Sequence, residues 1–336
     1  MTGSINSFLD GGSILVTGGT GSFGQKLINT ILQEFQPRRL IIYSRDELKQ
    51  FEMQQLYSPK NYPCLRYFLG DVRDLERLKL ALRGVKIVFH AAALKHVTAA
   101  EYNPTECIHT NVNGAENLVM ACIESGVERL IALSTDKACN PINLYGASKL
   151  AADKIFLAAN QLSGEGGTQF ACVRYGNVVG SRGSVIPYFK GLIENGNDSL
   201  PITDIRMTRF WITVQSGVRF VLSCLSEMRG GEIFIPKIPS MKVTDLASAI
   251  APDLKHEVIG IRPGEKLHEV MFTEDDARST VELSDRYIIE PSPIESPNYL
   301  LRDTAMPVSD GFRYSSETNS HWLDAEGIRE LIALSD

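Results

Sequence analysis

The sequence contains no long apolar run and no long basic run. No stretch reaches the length of a membrane-spanning helix, and the opening residues, MTGSINSFLDGG, lack the apolar core of a signal peptide. We therefore expect a cytoplasmic protein without membrane attachment. The net charge of -6 argues against nucleic acid as the main partner. Internal repeats and low-complexity segments are also missing.

Patterns typical of metal sites and disulfide frameworks are missing too. The six cysteines form no C-x-x-C pair, and no group of histidines and cysteines has the spacing of metal ligands. Several cysteines lie in apolar runs, which predicts buried free thiols in a reducing compartment and no bound metal. The 336 residues, 43% of them hydrophobic and 22% charged, suffice for a main domain and a smaller lobe.

A glycine-rich motif follows the first apolar segment. Residues 14–17 predict a buried strand, and glycines then occur as G-x-x-G-x-x-G at the start of a helix with apolar periodicity. Gly18 permits a tight turn, Gly21 lets the backbone approach a pyrophosphate, and Gly24 allows close packing of helix on strand. The helix N-terminus offers amide donors to phosphates. We predict a dinucleotide site formed by Gly18, Thr20, Gly21, Ser22, Phe23 and Gly24.

The end of the second strand indicates which dinucleotide is bound. Residues 40–43 are followed by Ser44, Arg45 and Asp46, and Lys49 lies one helical turn further on. A site for NAD usually has an acid here that holds the ribose 2′-hydroxyl, whereas a hydroxyl and two cations suit a 2′-phosphate. The pattern favours NADP, and the alternative is a solvated basic helix start. Further cofactor contacts are expected at later strand ends, at Asp71, Val72, Ala91 and Lys95.

Residues 130–149, LIALSTDKACNPINLYGASK, carry the predicted chemistry. A buried strand ends at Ser134 and is followed by Thr135, Asp136 and Lys137, at the edge where open α/β sheets bind ligands. A helix begins near Tyr145, and Lys149 lies one turn later on the same face. An ammonium close to a phenol lowers the phenol's pKa, so that the phenolate becomes accessible near neutral pH. The segment predicts a site for proton and hydride transfer.

The remaining elements complete an alternation of strands and helices. We predict one long helix over 103–125, capped by Asn103 and ended by Gly126, and a sixth strand over 170–174. This pattern is typical of an α/β, Rossmann-like, doubly wound parallel sheet over residues 1–175. Residues 176–336 predict a smaller, mainly substrate-binding lobe with a peripheral tail from about 291. Loops of this lobe that carry arginine predict a clamp for an anionic ligand such as a diphosphate.

The glycine motif and Tyr145-x-x-x-Lys149 together resemble the extended short-chain dehydrogenase/reductase family over nearly the whole chain. Six strings look like the UDP-N-acetylglucosamine 4,6-dehydratases of that family: TGGTGSFG, FHAAALKHV, STDKACNPINLYGASK, RYGNVVGSRGSVIP, MTRFW and RPGEKLHE. The tyrosine of LYGASK resembles the C5-inverting branch that begins pseudaminic acid biosynthesis, since the membrane-anchored retaining relatives tend to carry methionine there. Dehydratases of dTDP-glucose and GDP-mannose typically have Asp-Glu where this chain has Asp136-Lys137.

The resemblance implies a redox-neutral reaction of UDP-N-acetylglucosamine on tightly held NADP⁺, in a homo-oligomer that is dimer-based and extends to a hexamer in the inverting branch. Tyr145, with Lys149 and Thr135, would remove the O4 proton as hydride leaves C4. Lys137 would then remove the C5 proton while Asp136 protonates the departing 6-hydroxyl. Either Tyr145 or Lys137 could return a proton to C5. The resemblance adds Tyr145, Lys149 and Val178 to the cofactor contacts, and implies substrate contacts at Lys95, Asn177, Arg182, Val185, Arg209, Arg262 and Glu265.

Two other kinds of function fit the same motifs. One is a different reaction of the same site, either a retaining dehydration or a nucleotide-sugar 4-epimerisation. An epimerase moves hydride out and back at C4 only, so it has no use for an Asp136-Lys137 pair. The other is a non-enzymatic NADP-sensing or scaffold protein, because fold alone does not fix function. Such a protein would have a degraded Thr-Asp-Lys or Tyr-x-x-x-Lys motif, and here both of these motifs are intact.

Overall fold

The computed structural model describes residues 4–181, 183–291, 302 and 304–334. The strands within these ranges are β1 Ser13–Thr17, β2 Arg39–Ser44, β3 Leu65–Leu69, β4 Ile87–His90, β5 Arg129–Thr135, β6 Gln169–Tyr175, β7 Asn177–Val178, β8 Ser199–Ile202, β9 Thr208–Ile212, β10 Ile233–Pro236, β11 Ser240–Lys242, β12 Lys255–Val258, β13 Val270–Phe272, β14 Thr280–Glu282, β15 Arg286–Ile289, β16 Met306–Pro307 and β17 Tyr314–Ser315. The α-helices are α1 Ile5–Leu9, α2 Ser22–Glu34, α3 Glu47–Leu56, α4 Leu75–Ala81, α5 Val97–Tyr102, α6 Pro104–Ile108, α7 Gly114–Ser125, α8 Leu144–Ser163, α9 Val185–Glu194, α10 Val214–Glu227, α11 Val243–Ile250, α12 Glu274–Ala277 and α13 Ala325–Ala333.

The main sheet has a parallel part in the order β3-β2-β1-β4-β5-β6-β10, which the antiparallel strands β15, β14 and β16 extend beyond β10. Every residue of β1 is buried, as expected for a parallel strand that is covered on both faces. α2 packs against α10, whereas α7 packs against both α4 and α8. The predicted Rossmann-like, doubly wound fold is confirmed.

A smaller lobe lies beside the carboxyl edge of the main sheet. It contains the sheet β11-β9-β7 and the pair β12-β8, together with α9, α11 and α13. Two small apolar clusters of its own, one around Trp211 and Met241 and one around Phe189 and Leu200, hold these elements together. The main sheet nevertheless continues past residue 175, because β10, β14, β15 and β16 all follow it. The predicted boundary therefore does not coincide with the edge of the sheet.

Both chain ends, as far as they are described, pack against the rest of the fold. Leu9 of α1 is fully buried, and the Arg129 guanidinium lies 4.1 Å from the centre of the Phe8 ring. At the other end, β17 pairs with β13, and Ile328 of α13 is fully buried against the small lobe. The prediction of a peripheral tail from 291 is wrong for the described part of that segment. Apolar side chains at helical spacing were present there, but too few of them to be recognised.

The predicted long helix over 103–125 is interrupted by a π-helical turn, His109–Asn113. The side chain of Asn111 accepts a hydrogen bond from Leu94 N at 2.8 Å and donates to Leu94 O and Ser148 Oγ, both at 2.9 Å. Asn103 does not cap the helix, because its Nδ2 donates to Ala99 O instead. Gly126 ends the helix in the left-handed conformation, as predicted.

No helix in the described ranges is long and apolar enough to cross a membrane. The six cysteines are free thiols, and all except the partly exposed Cys64 are buried.

Candidate active site

A cavity of about 1410 Å³ opens where the carboxyl ends of the parallel strands face the small lobe. Every predicted cofactor residue lines it: Gly18, Thr20, Gly21, Ser22, Phe23, Gly24, Ser44, Arg45, Asp46, Lys49, Asp71, Val72, Ala91, Lys95, Tyr145, Lys149 and Val178. The predicted substrate residues Lys95, Asn177, Val185, Arg209, Arg262 and Glu265 line it as well, and Arg182 lies outside the described residues. Thr135 and Lys137 reach the cavity, whereas Asp136 is fully buried behind its wall.

The glycine loop is shaped by contacts that a side chain would obstruct. Gly18 has a φ of +64°, and a Cβ there would lie 2.8 Å from the backbone of Ala91. A Cβ on Gly24 would lie 2.5 Å from Gly18 O, so Gly24 is needed for close packing of α2 on the turn. Gly21 is exposed to the cavity and immediately precedes α2, whose first turn has no side-chain cap. The amide groups of that turn are therefore free to donate to a phosphate.

The end of β2 is polar and carries both cations predicted there. The hydroxyls of Thr20 and Ser44 are 2.9 Å apart. Arg45 Nη1 lies 3.7 Å from Asp71 Oδ2, and Lys49 Nζ lies 2.6 Å from Asp46 Oδ2. Both cationic side chains are about half exposed, so an incoming anion can displace these acids at little cost.

Three polar residues converge directly after β5. Asp136 Oδ1 accepts hydrogen bonds from Thr135 Oγ1 and from Lys137 Nζ, each at 3.0 Å. Burial raises the pKa of Asp136 against the opposing charge of Lys137. Burial by itself would lower the pKa of Lys137, but the charges of Asp136 and Glu269 outweigh it and the pKa is raised. In this arrangement Lys137 is an ammonium.

Tyr145 and Lys149 occupy consecutive turns of α8, as predicted, but their electrostatic relation differs from the prediction. Lys149 Nζ donates to Leu133 O at 2.6 Å. Burial raises the pKa of Tyr145 to about 12, and the groups that oppose this rise are Lys137 and the hydroxyl of Thr135. The net shift of the phenol pKa is therefore upward, opposite to the lowering expected from the sequence. The Lys149 ammonium donates its hydrogen bond to a backbone carbonyl of β5.

Sequence reasoning missed Glu269, which lies beside the turn Asp136–Ala138. Its side chain is only 2% exposed, and its Oε1 lies 3.3 Å from Lys137 Nζ. Burial acts to raise the pKa of Glu269, yet the pKa is lowered because Lys137, Arg209 and Lys266 surround the carboxylate. The residue belongs to the RPGEKLHE string, but no local pattern indicates that its carboxylate faces a lysine from a distant strand end.

Hydrogen bonds connect Arg209 with the loop 262–266, and connect this loop with the start of α8. The Arg209 guanidinium donates to Thr208 O and Leu267 O through Nη1 and to Lys266 O through Nη2. Asn143 Nδ2 donates to Gly264 O at 2.7 Å, and Asn143 Oδ1 accepts from Gly146 N in the first turn of α8. The loop that carries Arg262 and Glu265 therefore contacts the same segment that positions Tyr145.

Several buried polar atoms at the cavity have no hydrogen-bond partner within the described chain. These atoms are Thr110 Oγ1, Ser184 Oγ, Trp211 Nε1, Glu265 Oε2 and Glu269 Oε2. Buried polar groups are nearly always paired in folded proteins, so such a cluster indicates a site built for polar ligands. Among the described residues no group of acidic, histidine and cysteine side chains has the arrangement of a metal site.

The geometry thus defines a dinucleotide loop, a buried Thr-Asp-Lys turn and a Tyr-x-x-x-Lys helix around one large cavity. The model of the family described as "Polysaccharide biosynthesis protein" matches residues 14–291, and the chain belongs to this family.

Two curated relatives are similar over almost their whole length. Both are named UDP-N-acetylglucosamine 4,6-dehydratase (inverting) and come from Campylobacter jejuni subsp. jejuni. The relative from serotype O:2 is 57% identical over 326 residues, 95% of this chain and 97% of the relative. The relative from serotype O:23/36 is 56% identical over 96% of this chain and 98% of the relative. The predicted resemblance to this group of dehydratases is confirmed.

More distantly similar proteins have other names. A UDP-glucose 4-epimerase from Rickettsia akari is 40% identical over 82% of this chain and 82% of the relative. Among solved structures, Pen from Bacillus thuringiensis is 36% identical, with a TM-score of 0.88 over 97% of this chain and 98% of that chain. DesIV, a dTDP-glucose 4,6-dehydratase from Streptomyces venezuelae solved with NAD and TYD, shares the fold at 24% identity and a TM-score of 0.67, over 76% of this chain and 86% of that chain.

Proposed function

We propose that the chain is a hydro-lyase that converts UDP-N-acetylglucosamine into UDP-2-acetamido-2,6-dideoxy-β-L-arabino-hex-4-ulose, by 4,6-dehydration with inversion at C5. The observation that carries this proposal is the Asp136–Lys137 pair, joined at 3.0 Å at a strand end beside Tyr145. Elimination of water needs one group to remove the C5 proton and another to protonate the leaving hydroxyl. The two Campylobacter relatives named for this reaction support it.

A nicotinamide cofactor fits the cavity, and we propose that it is NADP. The turn at Gly18 and the uncapped start of α2 suit a pyrophosphate, because a Cβ on Gly18 or Gly24 would fill the space that the loop needs. For the 2′-phosphate, Ser44 and Thr20 offer hydroxyls, and Arg45 and Lys49 offer charge at the half-exposed end of β2. Asp71 and Val72 would contact the adenine. When bound, the cofactor supplies the reversible oxidation at C4 and the reduction at C6.

The residues of the chain would move the protons. Tyr145, which is hydrogen-bonded to Thr135, would take the O4 proton in its phenolate form. The charge of Lys137 lowers the phenol pKa, whereas burial keeps it high, so Tyr145 needs a ligand in the cavity before it loses its proton.

Lys137 requires a preliminary proton transfer. An ammonium cannot accept the C5 proton, and Asp136, which is 3.0 Å away, is the nearest acceptor. Transfer from Lys137 to Asp136 yields an amine and a carboxylic acid in one step, and burial lowers the cost of forming such a neutral pair from two charges. The amine would then take the proton from C5 while the acid protonates the leaving 6-hydroxyl. This restores the original ion pair.

The small lobe would hold the nucleotide. Arg262 and Glu265 lie on the loop 262–266, and Asn177 and Val185 line the same cavity. Lys95 lines the same space, and burial lowers its pKa. The hydrogen bonds of Arg209 to backbone carbonyls imply that it would shape the loop as well as contact a phosphate. We also propose that Arg182 contacts the substrate and that the chain assembles into a homo-oligomer.

Proton NMR of the purified protein with UDP-N-acetylglucosamine in D₂O, without added cofactor, tests the function. We expect a new C6 methyl signal, deuterium at C5 and couplings of the L-arabino configuration. A methyl signal with D-xylo couplings would keep the dehydration and overturn the inversion.

The Rickettsia relative makes 4-epimerisation the second candidate. A C4 epimer without a methyl signal in the same experiment would favour it and would remove the roles given to Asp136 and Lys137. The ion pair itself argues against epimerisation, because proton removal at C5 has no part in that reaction.

A further inference from the structure

Glu269 is a buried carboxylate that faces three cations. Its Oε1 lies 3.3 Å from Lys137 Nζ and 3.7 Å from Arg209 Nε, and its Oε2 lies 3.7 Å from Lys266 Nζ. The backbone fixes its position, because Glu269 N donates to Ser316 Oγ at 2.9 Å. Burying a carboxylate is costly even when it faces cations, so its retention next to a reacting lysine calls for a reason.

We propose that Glu269 is a positioning residue for the elimination step, which holds the Lys137 ammonium at the cavity wall and links it to the nucleotide-binding loop through Arg209 and Lys266. This inference rests on the proposed dehydration.

The three acceptors around Lys137 support this role. Its Nζ lies 3.0 Å from Asp136 Oδ1, 3.2 Å from Asn177 Oδ1 and 3.3 Å from Glu269 Oε1. An ammonium has three N–H groups, so these contacts fix the direction of each. When the N–H bond towards Asp136 breaks and an O–H bond forms on Asp136, the nitrogen stays anchored by Asn177 and Glu269. The C5 proton then forms the new N–H bond, and the proton of Asp136 leaves with O6 as water.

Glu269 itself keeps its charge throughout this exchange. Lys137, Arg209 and Lys266 together lower its pKa in spite of burial, so the mobile proton passes between Lys137 and Asp136 only. Lys266 Nζ also donates to Cys139 O at 2.6 Å, just after the catalytic turn. Glu269 therefore connects the catalytic turn with the loop 262–266 from both sides.

The charged groups that face Lys137 determine what loss of Glu269 does. Asp136 and Glu269 raise the pKa of Lys137 and Arg209 opposes them, while the charge of Glu269 also raises the pKa of Asp136. Removing the charge of Glu269 therefore lowers the pKa of Lys137 and the pKa of Asp136. The pair is active when Asp136 and Lys137 together hold one mobile proton, so its pH–rate profile has one limb for each of the two proton losses. Because both pKa values fall, both limbs move to lower pH.

The test is the pH dependence of kcat for methyl formation by Glu269→Gln, followed by NMR. We expect both limbs to move to lower pH by about one unit, since a carboxylate 3–4 Å away contributes interactions of this order. We also expect kcat at the optimum to fall roughly tenfold and KM to change less than about threefold, as for a misplaced reacting group. Glu269→Asp, which retains the charge, should keep the limbs near their wild-type positions, with a lower kcat.

Two control variants separate this role from a general effect of losing a carboxylate. Glu290→Gln removes a buried carboxylate that pairs with Arg302, and it should leave the pH profile unchanged. Glu265→Gln removes the carboxylate 4.0 Å from Arg209, and it should raise KM without moving either limb.

The possible outcomes distinguish the two proposals. No methyl product from the wild-type protein overturns the proposed function. Product from the wild-type protein with an unshifted profile for Glu269→Gln overturns the role of Glu269 alone. If circular dichroism shows that Glu269→Gln is unfolded, Glu269→Asp decides: limbs at wild-type pH with reduced kcat support the role, and wild-type kcat contradicts it.

Discussion

At the scale of single residues, the proposed chemistry depends on where two protons reside. Asp136 is fully buried and Lys137 touches the cavity, so only the lysine of the pair faces the ligand space in this structure. The sequence indicated these two residues by their position after a strand. It could not indicate their protonation, because that depends on Glu269 and on burial, which only the folded chain supplies.

Lys137→Ala and Asp136→Asn should each permit oxidation at C4 and stop the elimination. Removal of a general acid or base lowers rates by about 10²–10⁴-fold, so we expect at least a hundredfold loss of methyl product. Reduced cofactor, measured by its absorbance, should accumulate when substrate is added. Lys86→Ala, which removes an exposed lysine paired with Glu128, is the control. Full product formation by either active-site variant would remove the roles proposed here.

Arg45→Asp should weaken NADP⁺ far more than NAD⁺. Arg45 is half exposed at the end of β2, and a hydrogen bond to a charged group contributes about 1.5–3 kcal/mol, so we expect roughly tenfold to hundredfold weaker NADP⁺ binding. Calorimetric titration of cofactor-free protein measures both constants. Arg38→Asp makes the same charge change at an exposed position outside the cavity and should leave the preference intact. If Arg45→Asp and the wild type preferred NADP⁺ over NAD⁺ to the same extent, Arg45 would not bind the 2′-phosphate.

At the scale of elements, the start of α8 and the turn Asp136–Ala138 are packed against each other. A Cβ on Gly146 would lie only 2.1 Å from Lys137 O. Asn143 caps the same helix through Gly146 N, so this first turn fixes both Tyr145 and the backbone of Lys137. The sequence predicted that the helix starts near Tyr145, but no periodicity reveals that Gly146 contacts the preceding turn.

Gly146→Ala should destabilise the fold and impair catalysis together. Forcing a methyl group into a filled space costs about 1–3 kcal/mol, and here the displaced group is the backbone of the proposed base. Denaturant unfolding and the rate of methyl formation measure the two effects. Gly191→Ala is the control: its Cβ would meet no atom within 4 Å in α9, so it should gain up to about 1 kcal/mol. A Gly146→Ala protein as stable and active as wild type would contradict this packing argument.

The π-helical turn shows a limit of element prediction. The apolar spacing of 103–125 predicts a regular helix, and the helical segments on each side of the turn agree with it. The hydrogen bonds of Asn111 to Leu94 and Ser148 accompany the widened turn, and these partners belong to a different loop and helix. A pattern within one segment contains no information about them.

At the scale of the whole molecule, a buried ionic cluster joins the end of the chain to the main sheet. Arg302 donates to Glu290 Oε1 at 2.6 Å and to Glu232 Oε1 at 2.7 Å, and all three side chains are buried. Glu232 also accepts from Arg229 N and Gly230 N. Arg302 of this cluster lies within the segment from 291 onwards that the sequence analysis assigned to a tail.

Arg302→Met should lower the free energy of unfolding by about 3–5 kcal/mol, because it leaves two carboxylates buried without their cation. Urea unfolding followed by circular dichroism measures the change. Arg206→Met breaks an exposed pair with Asp204 and should leave the stability nearly unchanged. Equal stabilities of the two variants would show that the cluster contributes nothing to the fold.

The sequence by itself determined the alternation of strands and helices, the glycine loop and the residues at the strand ends, because each depends on local spacing and on the rule that parallel strands bind ligands at their carboxyl ends. Tertiary structure decided how the residues at the strand ends act together in the site. Glu269 and Lys137 come together only in the folded chain, and burial there helps to determine which groups carry protons. Electrostatics acts through space, so the ionisation of this site is a property of the folded chain.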